Sequence, residues 1–286
     1  MINKTLTLVF AVITFSACSQ TKKQYSGPAG YDLTKPQTAK MPAELLEISG
    51  IAFHNEKADK VYAIQDEDGQ LFRLNADGSG MEGFKFGKHG DYEDIAIINN
   101  YVIILRSDGT FFNFPVQEVG EARINSVNEF SGLIPKGEYE GLFANKDSKE
   151  VWVLCKRCAE DKKKENLSGY VLQLNDSGSL SMKSQFSLNT GAIATLSGAK
   201  KTRFSPSAFT YNYTTNEWFV LSSVNKLLVV ANKDWSVKEV FPLDPSIFNQ
   251  PEGITFDIDN NLYISNEGGD AGEGTLLKFP LLKATR

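Results

Sequence analysis

Residues 250–256 read QPEGITF, and residues 261–268 continue with NLYISNEG. The first stretch predicts a short strand that opens with a carboxylate and a glycine. The second predicts a strand that ends in polar residues, with a turn between the two. The opening phrase occurs four more times upstream, as SGIAF at 49–53, EDIAI at 93–97, EGLFA at 140–144 and SAFTY at 207–211. This repeat is the signal from which we predict the fold.

The spacing of the phrases indicates a repeated structural unit. Their first residues stand at positions 49, 93, 140, 207 and 252, so consecutive units begin 44, 47, 67 and 45 residues apart. A self-similar unit of roughly 40–50 residues with several strands is typical of β-propeller blades. Asp-Gly pairs at 68–69 and 108–109 lie between alternating apolar runs and predict hairpins inside the blades.

We therefore predict an all-β protein, a five-bladed β-propeller formed by residues 31–286 as a single domain. Each unit shows three clear strands and a vaguer outer one, and no segment carries a convincing amphipathic helical pattern. Residues 31–42 contain two prolines and predict an edge strand that closes the ring by pairing with the last blade. A charged insert at 156–168 enlarges one hairpin. The long connection at 187–205 leaves a sixth, degenerate blade open as an alternative.

The N-terminal residues predict an export signal. Residues 6–15 form an apolar run too short to span a bilayer, and the phrase FSAC at 15–18 resembles the lipobox of bacterial lipoproteins. We expect residues 1–17 to be a lipoprotein signal peptide and residues 18–30 to be a tether with the lipid on Cys18. The alternative is an ordinary secretory signal with an incidental cysteine. Ser19 and Gln20 favour the outer membrane facing the periplasm, with surface exposure left open.

Charge and composition limit the partners and the chemistry. A net charge of −5 and a pI near 5.3 argue against nucleic-acid binding, which needs a basic face. With two histidines and no Gly-x-Ser-x-Gly or phosphate-binding glycine loop, the chain lacks common catalytic signatures. We expect a monomer, tied to the membrane through Cys18, whose small ligand or protein partner the sequence does not identify.

The predicted topology collects polar residues on one face. Strands of a blade are antiparallel, so the start of the first strand and the end of the second meet at the same end of the channel. The inner ring there contains Ser49, Glu93, Asp94, Glu140, Ser207 and Glu252. The outer ring contains Asp66, Glu67, Asp68, Arg106, Ser107, Asp108, Lys156, Arg157, Ser222, Ser223, Asn266 and Glu267.

The carboxylates of these rings suit a hard cation. Oxygen ligands in a loose arrangement favour Ca²⁺ over Mg²⁺. The candidate ligands are Glu93, Asp94, Glu140 and Glu252, with Asp66 and Glu267 next to them. The alternative is that each polar residue caps its blade by binding backbone amides.

Basic residues on the same face offer a second hypothesis. Beside a metal they would hold a phosphate, as in a Ca²⁺-dependent phosphoesterase, while the alternative is ordinary surface charge in loops. The residues are Arg106, Lys156 and Arg157, with Lys88 and His89.

The phrase CKRC at 155–158 has the spacing of redox and zinc motifs. Zinc needs a second pair of ligands, and thioredoxin-like chemistry needs the motif at a helix N-terminus. In an exported protein a local disulfide between Cys155 and Cys158 is favoured. Two free thiols and catalytic redox chemistry stay open.

The repeated phrases resemble those of the SdiA-regulated family of bacterial exported proteins, which includes YjiK-like and calcium-regulated propellers. The resemblance covers residues 49–279 and rests on the phrases EISGIA (47–52), YAIQDE (62–67), DYEDIA (91–96), EYEGL (138–142) and QPEGI (250–254). It implies an exported or membrane-anchored β-propeller with a link to calcium, and it transfers no catalytic residues. We expect a non-catalytic protein that binds Ca²⁺ or a small ligand at the channel mouth, with phytase-like hydrolysis or a protein-interaction scaffold as alternatives.

Overall fold

A computed structural model describes residues 25–121, 123–161, 165–198, 203–269 and 272–282. The predicted signal peptide and the lipidated Cys18 lie outside these residues. The described residues form five four-stranded antiparallel sheets and one short α-helix. The prediction of a five-bladed, all-β propeller is confirmed.

Four blades follow one another directly after β1 (Gln37–Lys40). The first contains β2 (Ile48–Phe53), β3 (Val61–Gln65), β4 (Asp68–Leu74) and β5 (Glu82–His89). The second contains β6 (Tyr92–Ile98), β7 (Tyr101–Arg106), β8 (Phe111–Pro115) and β9 (Asn128–Phe130). The third contains β10 (Gly137–Asn145), β11 (Glu150–Cys158), β12 (Asn166–Leu174) and β13 (Leu180–Asn189). The fourth contains β14 (Ala208–Asn212), β15 (Glu217–Ser222), β16 (Leu227–Asn232) and β17 (Val237–Pro242).

The fifth blade closes the ring with both ends of the chain. It contains β18 (Gln250–Phe256), β19 (Leu262–Glu267) and β20 (Thr275–Phe279), and β1 is its outer strand. β1 runs antiparallel to β20, with Thr38 opposite Leu277, as the sequence predicted for the edge strand. The first strands β2, β6, β10, β14 and β18 contact one another in a closed circle and line the channel.

The core lies between the blades, where apolar faces of neighbouring sheets pack together. The packing between the third and fourth blades is the most aromatic and holds all three tryptophans, Trp152, Trp218 and Trp235. The rings of Trp218 and Trp235 stack at 4.3 Å, and Phe186 stacks on Trp235 at 4.1 Å. Offset aromatic pairs of this kind contribute about 0.5–1.5 kcal/mol each beyond the area that they bury.

The connection after β13 differs from the prediction, because it contains a helix. α1 spans Thr190–Ser197, begins at Asn189, whose Oδ1 accepts a hydrogen bond from the Ala192 amide at 2.9 Å, and ends at Gly198 with φ of 66°. A helix of eight residues with one buried side chain, Ile193, gives no amphipathic period for a pattern to reveal. It is the only α-helix in the described residues, and none there is long and apolar enough to cross a membrane.

The predicted charged insert at 156–168 is also partly wrong. β11 continues through Cys158 and β12 begins at Asn166, so most of the described insert is strand. The pairing of β11 with β12 ends at Leu154 and Gly169, and the added residues pair with β10 and β13 instead. The alternation that marks a strand is interrupted here by bulges between β10 and β11, which hid the extension from sequence reasoning.

Candidate functional site

The register of the blades brings the predicted rings to one face. Gln250 at the start of β18 lies opposite Glu267 at the end of β19, and Tyr92 at the start of β6 lies opposite Arg106 at the end of β7. In the first blade Ile48 likewise lies opposite Gln65. The first residues of the inner strands therefore share this end of the channel with the last residues of the second strands.

Four carboxyl groups on this face influence one another electrostatically. They are Asp66, Glu93, Glu252 and Glu267, from the first, second and fifth blades, and we call them the carboxylate cluster. The pKa of Glu93 is raised to about 9, mainly by burial and also by the charges of Asp91, Glu252 and Asp66, with Lys156 acting in the opposite direction. A carboxyl group with such a pKa holds its proton at neutral pH unless a cation replaces it.

The other members of the cluster behave in the same way. Burial raises the pKa of Glu267 to about 8, with added repulsion from Glu252, Asp66 and Glu47. Burial raises the pKa of Glu252 to about 7, opposed by a hydrogen bond from Ser223. Burial and the charge of Glu47 raise the pKa of Asp66 to about 6. Burial is the main cause in all four cases, and the charge of Asp66 adds to the rise at each of the three glutamates.

Lys156 is the cation that the cluster shares. Its charge lowers the pKa of Glu93, Glu252 and Glu267. Its ammonium also forms an ion pair with Glu140 and lies 3.3 Å from Glu138 Oε1. Lys156 is thus paired within the third blade, while its charge acts on cluster residues of the second and fifth blades.

Asp94 is held differently from its neighbour Glu93. One oxygen of its buried carboxyl group accepts a hydrogen bond from the Ile95 amide at 2.8 Å, and the other accepts one from the Leu142 amide in the next blade at 2.7 Å. Gly50 leaves the space for it, since a Cβ there would stand 2.4 Å from Asp94 Oδ1. Asp94 therefore ties blades together, as the capping alternative describes.

Serines make comparable contacts at other seams between blades. Ser207 Oγ donates to the Pro251 carbonyl at 2.8 Å, which joins the fourth blade to the fifth. Ser265 Oγ donates to the Ser49 carbonyl at 2.8 Å, which joins the fifth blade to the first. Where the repeat has serine in place of glutamate, the Ser207 side chain makes such a seam contact and adds nothing to the charge of the cluster.

The other predicted basic residues do not reach the cluster in this arrangement. The Arg106 guanidinium binds Asp108 through two hydrogen bonds of 3.1 and 2.8 Å. Arg157 pairs with Glu138 at 3.1 Å, and its side chain is 57% exposed. His89 Nε2 lies 3.8 Å from Asp68 at the exposed end of β5. Only Lys156 among the predicted basic residues faces the carboxylates.

Cys155 and Cys158 are joined by a disulfide, with their Cα atoms 6.1 Å apart. Both are buried. Within the described ranges, Cys155, Cys158 and Asp161 are the one group of three metal-ligating side chains whose ligand atoms lie within 4.8 Å of one another. The disulfide uses two of these three and so leaves no thiolates for a metal.

Sequence reasoning overlooked two carboxylates that act on the cluster. Asp91 raises the pKa of Glu93, and Glu47 raises those of Asp66 and Glu267. Each lies two residues before a ring position, and the two-residue period of a strand places such residues on the same side. That period was the available signal.

Two buried oxygen atoms on this face have no hydrogen-bond partner, Asp66 Oδ1 and Asn266 Oδ1. Asn266 is 2% exposed and lines, together with Glu267, an open cleft of about 660 Å³. Buried acceptors without a donor are costly, and a cation is one means of satisfying them.

The opposite mouth of the channel carries a different surface. A cavity of about 220 Å³ opens at this end of the inner strands, and six aromatic side chains line it together with aliphatic and polar ones. Its charged groups include Lys146 and Glu56, which pair with each other at 2.5 Å. In the part of the chain that the structure describes, the carboxyl groups on which the charge of Lys156 acts, Glu93, Glu252 and Glu267, all lie at the mouth with the carboxylate cluster.

The chain belongs to the SdiA-regulated family, whose sequence profile matches residues 30–269. This match confirms the resemblance seen in the repeated phrases. No functionally curated protein matches the chain in sequence.

Solved structures with low sequence identity share the fold. A luciferin-regenerating enzyme is similar with a TM-score of 0.53 and 10% identity, over 86% of this chain and 95% of that one. A calcium-binding regucalcin from Agrobacterium tumefaciens is similar with a TM-score of 0.50 and 11% identity, over 89% of this chain and 97% of that one. At this identity the likeness supports the propeller fold alone.

Proposed function

We propose that this SdiA-regulated protein binds Ca²⁺ at the carboxylate cluster, as a binding or calcium-homeostasis protein of the cell envelope. The observation that carries the proposal is the excess of negative charge there. Burial raises the pKa of Asp66, Glu93, Glu252 and Glu267, and the charge of Asp66 raises those of the three glutamates as well. Lys156 lowers the pKa of the glutamates only in part, joined at Glu252 by Lys226. The calcium-binding regucalcin of the same fold is consistent with this proposal.

The donor set favours a hard cation. All four side chains offer carboxylate oxygens, and Asp66 Oδ1 is buried without a partner. Ca²⁺ accepts six to eight oxygens in loose geometry, which suits ligands that come from separate blades. Mg²⁺ demands a near-ideal octahedron and gives up its water reluctantly, so it should bind more weakly.

Binding should depend on pH because Ca²⁺ must displace protons. Glu93, Glu267 and Glu252 have pKa values of about 9, 8 and 7. At pH 6 all three are largely protonated, and the proton competes with the metal. The Ca²⁺ affinity should therefore increase from pH 6 to pH 9, with protons released on binding.

The test is calorimetry and thermal melting of the chain from Ser19 onward, which contains every strand, first with EDTA and then with Ca²⁺ or Mg²⁺. Ca²⁺ at 100 times its dissociation constant should stabilise the protein by about 2.7 kcal/mol. Glu252→Gln should lose most of this shift. Glu217→Gln, whose side chain pairs with Lys238 on the fourth blade, is the matched control. A flat response to Ca²⁺ would leave the glutamates as structural caps and favour capture of a protein partner.

The ion pairs of the basic residues favour a binding function over the hydrolysis of a phosphate ester. Arg106 and Arg157 are each paired with a carboxylate, so neither is available to hold a phosphate ester as they stand. We expect no hydrolysis of phytate or of a phosphomonoester in the presence of Ca²⁺. Hydrolysis that is lost both in EDTA and in Glu93→Gln would establish the phosphoesterase instead.

We also propose that the propeller is a lipid-anchored monomer on the outer membrane facing the periplasm. The lipobox-like phrase at 15–18 supports this location. The protein should partition into detergent and carry acyl chains, and Cys18→Ser should abolish both. A secreted, unmodified wild-type protein would contradict the anchor.

A further inference from the structure

Two bulges face each other where β10 pairs with β11. Tyr139 lies opposite Cys155 and Glu138 opposite Arg157, so Lys156 has no residue across from it. Gly141 lies opposite Leu154, so Glu140 is also unpaired. These two extra residues form an ion pair with each other. The bulges therefore place the Lys156 side chain, which is 17% exposed, against Glu140, from where its charge acts on the glutamates of the carboxylate cluster. Its neighbour Arg157 has a side chain that is 57% exposed.

The disulfide is compatible with the bulge and incompatible with a regular strand. In a regular strand residues three apart have Cα atoms about 10 Å apart, at roughly 3.3 Å per residue. A disulfide tolerates up to about 6.8 Å. The Cα atoms of Cys155 and Cys158 are 6.1 Å apart. The bond thus holds the contracted, bulged form of β11 that includes Lys156.

We propose that the Cys155–Cys158 disulfide is the positioning element that fixes Lys156 as a resident cation of the carboxylate cluster, which Ca²⁺ must displace. The displacement of Lys156 by Ca²⁺ rests on the proposed function, whereas the positioning of Lys156 by the disulfide does not. The disulfide joins residues that flank Lys156, and Gly137 is needed opposite, because a Cβ there would stand 2.5 Å from Cys158 Sγ.

Removing the disulfide should release Lys156. Without the bond, β11 is free to regain regular pairing, and a shift of one residue turns each following side chain to the other face of the sheet. The cluster then loses its neutralising ammonium. Metal-free protein should show a more reactive Lys156, and Ca²⁺ should meet less competition.

The first experiment needs no metal. The rate of acetylation of Lys156 is measured by mass spectrometry in EDTA, in the wild type and in Cys155→Ala/Cys158→Ala. The rate should rise about tenfold in the variant, the factor that corresponds to 1.4 kcal/mol. Lys149, which is 42% exposed on the same blade and pairs with Asp176, is the internal control and should not change. An unchanged Lys156 rate in a folded variant would overturn the positioning role.

Folding of the variant is checked by tryptophan fluorescence, because all three tryptophans lie between the third and fourth blades. If the variant does not fold, reduced wild-type protein replaces it. Two thiols of dithiothreitol supply two electrons and two protons to the disulfide bond and become a cyclic disulfide. The Lys156 rate is then compared between the oxidised and reduced forms, with free thiols counted.

The second experiment is a double-mutant cycle on Ca²⁺ affinity at pH 8. Lys156→Met should tighten binding about tenfold, because it removes the competing cation. Removal of the disulfide should tighten binding in the wild-type background and have no effect in the Lys156→Met background. Equal effects in both backgrounds would show that the disulfide acts only on general stability. If none of the four proteins binds Ca²⁺, the proposed function fails while the acetylation result still decides the positioning role.

Discussion

The two mouths of the central channel are built from the same five inner strands and differ in chemistry. Where the strands begin, four buried or half-buried carboxyl groups have raised pKa values, and the charge of Lys156 acts on three of them. Where they end, aromatic side chains line a cavity of about 220 Å³, among them Phe53, Phe143, Tyr211 and Phe256. Because every inner strand runs in the same direction around the ring, a repeat that starts polar and ends apolar sorts these groups to opposite ends.

The same contrast exists between two adjacent residues at the polar mouth. Both oxygens of Asp94 accept hydrogen bonds from backbone amides. Glu93 is also largely buried, and burial is the main reason that its pKa rises to about 9, with smaller contributions from the charges of Asp91, Glu252 and Asp66. Burial raises the pKa of both carboxyl groups, but Asp94 binds backbone amides and so ties blades together, whereas Glu93 lies among other carboxyl groups. Two substitutions test this distinction, and a third tests the difference between the two mouths.

The largest effect should come from Asp94→Ala. It leaves the amides of Ile95 and Leu142 buried without acceptors, and an unsatisfied buried donor costs about 1–3 kcal/mol. We expect a loss of about 3 kcal/mol in the free energy of unfolding, measured by urea denaturation. The folded variant should bind Ca²⁺ as the wild type does. Loss of Ca²⁺ binding with unchanged stability would move Asp94 into the carboxylate cluster.

The fold followed from the sequence because its signals are local and repeated. The five phrases beginning at residues 49, 93, 140, 207 and 252 set the number of blades, and the Asp-Gly hairpins set the strands within them. The prolines of residues 31–42 marked the closing edge strand, which pairs with β20. Such features need no knowledge of distant contacts.

The sequence predicted which face of the propeller carries the site. It did not predict the role of each side chain there, because those roles depend on contacts between blades. The phrase at 93–94 offers two carboxylates, and only the Leu142 amide of the next blade shows that Asp94 is satisfied. Lys156 enters the cluster through paired bulges, which break the alternation on which strand prediction relies. The pairing of Arg106 with Asp108 is likewise a matter of side-chain geometry.

The second prediction concerns the pH dependence of stability in Glu93→Gln. The folded-state pKa of Glu93 lies near 9 against an ordinary value of 4.5. Between pH 4.5 and pH 9 the folded state keeps a proton on Glu93 that the unfolded state has released. The contribution of Glu93 to the free energy of unfolding is therefore fully present below pH 4.5 and is lost as the pH rises through 9. In EDTA the wild type should lose stability from pH 6 to 9. The Glu93→Gln variant should lose less stability over this range. Its free energy of unfolding at pH 8 should exceed that of the wild type by about 1–2 kcal/mol, since each pKa unit corresponds to about 1.4 kcal/mol.

Urea denaturation at pH 6, 7, 8 and 9 measures this slope. Glu217→Gln, which removes an acceptor for Lys238 away from the channel, serves as the control and should follow the wild-type slope. The same slope in Glu93→Gln and in the wild type would mean that Glu93 ionises without penalty, and the contrast with Asp94 would fail.

The smallest effect should come from the opposite mouth, with Lys146→Met. The Lys146 ammonium pairs with Glu56 at 2.5 Å, and the two side chains are 50% and 30% exposed. Exposed ion pairs of this kind contribute about 0–1 kcal/mol, and the exposed ammonium of Lys146, 5.0 Å from the centre of the Tyr213 ring, adds about 0.5–1 kcal/mol at most, so stability should fall by no more than about 1 kcal/mol. Lys146 lies six residues along the chain from Glu140, which corresponds to roughly 20 Å at about 3.3 Å per residue. This distance exceeds the electrostatic screening length of about 8 Å at physiological salt, so the charge of Lys146 has little effect at the other mouth. The Ca²⁺ affinity should therefore stay unchanged in calorimetry, although Lys156→Met removes the same charge and should tighten binding. A similar gain in both variants would show that Ca²⁺ responds to the net charge of the propeller and not to the chemistry of one mouth.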